Sequence, residues 1–132
     1  MHRLSSALLV VCFACLVAGC GGSSDQAKAR NVARTMAGNF GDPSIRTAQL
    51  YGPASYQVAF SAFSGGPTTP NQKKGRFYVI VLHGSFTGDG STRAPTVSRL
   101  WSPTGHSGGT GFRKSLPASM SRLGHPTLIE LR

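Results

Sequence analysis

The side chains able to do chemistry are few in this chain, and they are widely spaced. The carboxylates are Asp25, Asp42, Asp89 and Glu130, and no two are neighbours in sequence. That leaves little material for paired-carboxylate catalysis or for oxygen cages around hard cations. His83, His106 and His125 show no metal-ligand spacing among themselves. His83 alternates with Val79 and Val81, which predicts a packed or hydrogen-bonded core histidine; His106 and His125 adjoin turn residues and are expected to be solvated. Asp89, in Thr87-Gly88-Asp89-Gly90, lacks the further acids and closing Glu of a calcium loop and reads as a tight turn. Ser107 stands between Gly105 and Gly109. Serine at that spacing can be a nucleophile if a strained strand-to-helix turn exposes it, a histidine takes its proton and an acid orients the histidine.

Val81-Leu82-His83-Gly84 and Gly105-His106-Ser107-Gly108-Gly109 together resemble the oxyanion loop and nucleophile elbow of α/β-hydrolases. That resemblance implies a doubly covered parallel sheet, larger than this chain can supply, and an acid lying before the histidine. Here His125 precedes Glu130, and Gly-Gly-Thr-Gly-Phe is a poor start for a helix. The residues favour a turn followed by a Gly-rich strand. Gly109–Ser115 departs from a phosphate-binding P-loop because Arg113 occupies the place of the Gly before the Lys. The densest basic clusters are Lys73, Lys74 and Arg76, then Arg113 and Lys114; these are candidate anion contacts. Tyr78 and Trp101 are aromatics of the kind that stack on bases or sugars, but no nucleic-acid motif surrounds them. No metal or cofactor is expected, and no nucleic acid.

The first twenty residues carry the clearest signal. Met1-His2-Arg3 is a short positive start, and residues 7–18 form an unbroken apolar run of 12. This fits a secretory leader and falls short of the roughly 20 residues that span a bilayer. Leu16-Val17-Ala18-Gly19-Cys20 resembles the lipobox of bacterial lipoproteins. In that family the Cys sulfur receives diacylglycerol, and cleavage makes the Cys the new N-terminus. The resemblance implies residues 1–19 as signal peptide and Cys20 as the lipid-attachment site. Cys12 and Cys15 lie inside the apolar run and leave with it. The mature chain then keeps one cysteine, with no internal disulfide.

Charge is lopsided: 14 Lys and Arg against 4 acids in 132 residues. Removing residues 1–19 removes Arg3 alone and leaves 13 against 4, a net +9. Such a surface is drawn to anionic lipid or wall polymer outside a cell, and basic residues beside an anionic leaflet add about 1 kcal/mol each to a lipid anchor.

The elements that must position these residues emerge from periodicity. Residues 20–24 read as the lipidated Cys and a flexible tether, and residues 25–132 as one small domain. Ala29, Val32, Ala33, Met36 and Phe40 recur at helical steps after a Ser23–Gln26 capping box, predicting a helix over 25–37. Ile45–Tyr51, Ser55–Phe63, Thr96–Ser102, His106–Arg113 and Pro126–Leu131 read as strands, with 64–75 and 87–95 as loops and 115–124 irregular or briefly helical. Arg76–Phe86 is apolar on both faces, which marks a central strand covered by the helix on one side and by something else on the other. The fold class is α+β: one N-terminal helix packed on an antiparallel sheet of four to five strands. The segment order is similar to that of small exported proteins of GC-rich Gram-positive bacteria, with a long strand ending in Gly84-Ser85-Phe86, a hairpin at Thr104-Gly105 and a closing Leu123-Gly124.

Three functions are compatible with these features. The first is a non-enzymatic binding or accessory domain, lipid-anchored on the extracytoplasmic face of a membrane and serving an unknown protein partner. The second is an electrostatic binder of anionic lipid or cell-wall polymer. The third is a small serine hydrolase using Ser107.

Overall fold

The computed structural model describes residues 25–66, 73–87, 93–104 and 107–131. Helix α1 covers residues 25–39. After it come strand β1 (Thr47–Ala54), helix α2 (Tyr56–Ser64), strands β2 (Phe77–Thr87), β3 (Arg93–Trp101) and β4 (Ser107–Arg113), a 3-10 helix (Ala118–Leu123) and strand β5 (Thr127–Glu130). The five strands form one sheet in the order β4-β3-β2-β1-β5, and every adjacent pair is antiparallel. The architecture is α+β, with a helix followed by a five-stranded antiparallel sheet.

β2 is the middle strand, and Phe77 to Leu82 are all buried. Alternation sends Tyr78, Ile80 and Leu82 to one face, where they meet Leu50, Val97, Trp101 and the α1 residues Ala29, Ala33 and Met36. Phe77, Val79 and Val81 go to the other face, beneath Tyr56, Ala59 and Ala62 of α2 and Met120 of the 3-10 helix. Alanine at the contacting positions of both helices lets their backbones approach the sheet closely. α1 ends near residue 39 as the chain turns: Phe40 N–H donates to the Met36 carbonyl and Asp42 N–H to the Ala37 carbonyl, both at 2.9 Å.

The central strand with two covers is the arrangement that the apolar run demands. The second cover, however, is Ser55–Phe63, which alternation marks as a strand. These residues form α2 instead. Tyr56, Ala59 and Ala62 point inward at helical spacing, while Val58 stays on the solvent side. Ser55 caps the start, its hydroxyl accepting from Val58 N–H at 3.3 Å. Gly65 closes the end in the left-handed region (φ 76), its N–H donating to the Ser61 carbonyl. Burial of β2 on both sides outweighs the strand preference of the aromatic residues in this segment.

α2 is nine residues long and runs from the end of β1 toward the end of β4, where Arg113 reaches the carbonyls of Phe63 and Ser64. It leaves a corner of its face uncovered. His83 lies there, on the same face as Val79 and Val81 but exposed, so it is not the core histidine that its alternation predicts. On the same face but across β1, Leu128 of β5 is 68% exposed.

β2 carries an irregularity between His83 and Phe86. A side chain at Gly84 would stand 2.7 Å from Asp42 Oδ2 and 2.9 Å from Ile45 Cδ1. Ser85 N–H donates to that same Asp42 oxygen at 3.0 Å. The glycine is required because the loop after α1 lies directly on the strand.

Two substitutions test these local reasons by chemical or thermal unfolding. Gly84→Ala is expected to cost about 1–3 kcal/mol through overpacking. Ser55→Ala is expected to cost about 1 kcal/mol through the lost cap; no loss would mean that α2 does not depend on its N-terminal serine.

Candidate functional site

One carboxylate holds the end of the domain where β2 begins. Asp25 Oδ2 accepts from Arg76 Nε at 2.9 Å and from the Tyr78 hydroxyl at 2.6 Å, and Oδ1 accepts from Arg76 Nη2 at 3.2 Å. The hydrogen bonds from Arg76 and then Tyr78 hold the Asp25 carboxyl below the usual carboxylate range, with help from the charges of Arg76 and Lys28. Burial and the bond to Asp25 push the Tyr78 hydroxyl up. The counterpart of Asp25 at the other end of α1 is Asp42, held low by the Ser44 hydroxyl and the Ser85 N–H. Two of the chain's four acids therefore fasten the two ends of α1 to β2.

The segment leading into β2 carries the first basic cluster. Lys73 and Lys74 are exposed, and with Ser55, Tyr56 and Gln57 they line an open cavity of about 200 Å³. Lys73 Nζ stands 5.2 Å from the centroid of the Tyr56 ring. Arg76, the third member, is already committed to Asp25, although its side chain remains 58% exposed. The structure brings in a cation that sequence grouping missed, Lys28, which lies one helical turn beyond Asp25 and acts on it through space. Its signal was the helical offset of three residues from Asp25.

The second cluster lies elsewhere. β4 starts opposite Trp101 and ends with Arg113 opposite Thr96, about 20 Å further along the sheet. Arg113 Nη2 donates to the carbonyls of Phe63 at 3.2 Å and Ser64 at 3.4 Å, closing the end of α2, while its buried Nε has no hydrogen-bond partner. Lys114 is exposed beside it. The two clusters are thus two separate poles, and one arginine in each is occupied within the fold.

Other arginines are occupied in the same way. Arg30 Nε donates to the Glu130 carbonyl at 2.8 Å, and Arg34 Nε to the Leu131 carbonyl at 2.6 Å. Arg122 Nη1 donates to the Ser61 hydroxyl at 2.8 Å. Arg99, whose ionised form burial disfavours, donates to the Thr110 hydroxyl and lies over the Phe40 ring. Among the described residues the ion pair is Arg76–Asp25.

The remaining candidates divide clearly. Tyr78 and Trp101, aromatics of the kind that stack on a ligand, are instead buried against each other beneath α1, with ring centroids 5.6 Å apart. The antiparallel register opposes them on neighbouring strands. His83 is exposed, with Nε2 at 2.9 Å from Gln49 Oε1 and Nδ1 at 3.5 Å from the Thr96 hydroxyl. His125 is exposed, in keeping with its turn residues. Val81–Gly84 lies within strand β2, and Ser107 opens edge strand β4, which continues to Arg113. Beyond Ser107 the chain therefore runs on as a strand, whereas a nucleophile elbow turns there into a helix. Cys20, Asp89, His106 and the rest of residues 1–24 lie outside the described residues. Among the described residues, no three His, Cys, Asp or Glu side chains group as metal ligands, and no helix is long and apolar enough to cross a membrane.

Comparison with protein-family models, curated proteins and solved structures finds no match for this chain.

The clamps lead to two expected outcomes. The contributions of Asp25 and Asp42 are complete above the usual carboxylate value of about 4 and are lost as pH falls through their lower folded values. The melting temperature is expected to drop below about pH 4. The Asp25→Asn, Asp42→Asn double variant should melt lower at pH 6 and lose less on acidification; an unchanged acid slope would assign it to other groups. Arg113→Ala is expected to cost about 1–3 kcal/mol in urea unfolding, because two carbonyls at the end of α2 lose their donor.

Proposed function

We propose that this chain is an extracytoplasmic lipoprotein, anchored to a membrane through lipid on Cys20, whose domain from residue 25 onward acts as a non-enzymatic binding or accessory module. The observation that carries this reading is the sequence Leu16-Val17-Ala18-Gly19-Cys20 behind a positive start and a 12-residue apolar run. Asp25, already fixed in the folded domain, stands five residues after that cysteine, a spacing suited to a domain held close to a lipid anchor. The chemistry-bearing side chains that the fold engages are engaged structurally: Asp25 and Asp42 hold α1, and Arg113 closes α2.

A second reading, electrostatic binding of anionic lipid or an envelope polymer, is supported by the exposed pair Lys73 and Lys74 at the mouth of an open cavity. Lysine presents a mobile point charge that suits an anion without fixed geometry.

The test of the anchor is intact mass and detergent partitioning of protein recovered from bacterial membranes, wild type beside Cys20→Ala. Wild type is expected in the detergent phase with lipid mass on an N-terminal Cys20, and the variant in the aqueous phase. Wild type secreted without added mass would overturn the anchor and leave the basic binder as the leading function.

A further inference from the structure

We infer that the end of the domain presenting Lys28, Lys73 and Lys74 is its membrane-facing surface, resting on the anionic headgroups of the leaflet that carries the anchor. The inference rests on the lipid-anchor reading and adds to it an orientation and a set of contact residues.

The geometry is set by Asp25. Whatever path the linker takes, five residues from Cys20 span at most about 17 Å. Asp25 itself is fixed, its carboxylate bonded to Arg76 and Tyr78 at the start of β2. The lipid attachment point is therefore confined to the end of the sheet where Lys73 and Lys74 lead into β2. It cannot reach the end marked by Ser85, Arg113 and Lys114, about 20 Å further along the strands, without running the length of the domain.

The charge at this end is positive and available. Asp25, the one described acid there, is neutralised by Arg76. Asp42 bonds Ser85 and Glu130 lies opposite Thr47, both toward the far end of the strands. Lys28, Lys73 and Lys74 are exposed, and among the described residues none of them pairs with a carboxylate. Each can approach headgroup phosphates, and near an anionic surface each basic residue contributes about 1 kcal/mol, or roughly fivefold in occupancy. Solvent ions screen this attraction within about 8–10 Å. A linker of at most about 17 Å lets this end of the domain come within that range of the leaflet, whereas Lys114, about 20 Å further along the strands, stays beyond it.

The chain has four lysines, three at this end and one at the other, so amine reactivity reads the orientation directly. The full lipidated protein is placed in vesicles of phosphatidylcholine alone or of phosphatidylcholine with phosphatidylglycerol. It is then pulsed with a water-soluble amine reagent and read by peptide mass spectrometry. Labelling of Lys28, Lys73 and Lys74 is expected to slow about fivefold on the anionic vesicles, with Lys114 unchanged. The difference should vanish at about 1 M salt. Lys73→Gln with Lys74→Gln should restore the reactivity of Lys28. Equal labelling on both vesicles, with lipid present on Cys20, overturns the docking surface and leaves the anchor standing. Protection that appears only on adding purified wall polymer overturns it in favour of that polymer. Absence of lipid on Cys20 removes the anchor, and the docking surface with it.

Discussion

The fold depends on a strand whose first six residues have no solvent face. Six consecutive buried residues, Phe77 to Leu82, make β2 apolar on both sides. At roughly 1.5–3 kcal/mol for each large apolar side chain, leaving either side open would forfeit much of the stability available to a domain of this size. Two covers are therefore obligatory. α1 supplies one, fastened at both ends by Asp25 and Asp42. α2 and the 3-10 helix supply the other, joined by the Ser119 hydroxyl donating to the Ala62 carbonyl at 2.9 Å and by Arg122 reaching Ser61. The outer strands β3, β4, β1 and β5 extend this sandwiched centre.

The basic excess has two components that composition alone merges. Arginine is used as a long-reach donor: Arg30, Arg34 and Arg113 end on backbone carbonyls, where the forked guanidinium satisfies acceptors left over at element ends. Lysine stays on the surface. A net charge of +10 thus overstates how much of the surface is free to meet an anion: Lys28, Lys73 and Lys74 are exposed at one pole, and Arg46, Arg93 and Lys114 at the other.

The sheet is legible in the sequence because its strand signals are strong. Arg76–Phe86 is apolar throughout, and Thr96–Ser102 and Pro126–Leu131 fall within a few residues of β3 and β5. α2 reads as a strand because Tyr56, Val58, Phe60 and Ala62 satisfy period two, while Tyr56, Ala59 and Ala62 satisfy helical spacing equally well. Ser55 and Gly65, as caps, are the deciding signs. The site is less legible. Lys73, Lys74 and Lys114 stand out as exposed cations, but nothing local announces that Arg76 and Arg113 are occupied by partners 51 and 50 positions away. The exposure of His83 depends on where α2 stops, a tertiary fact that strand alternation does not contain.

The bonds from Arg30 and Arg34 to the carbonyls of Glu130 and Leu131 also bear on how copies of this chain meet. A sheet grows from molecule to molecule only if both of its edges accept a new strand. Along β5 the acceptors at the strand's end are already taken by guanidinium groups of the same chain, and the strand is only four residues long. The β5 edge is thereby blunted against pairing with a second copy of the chain; β4 is the longer edge.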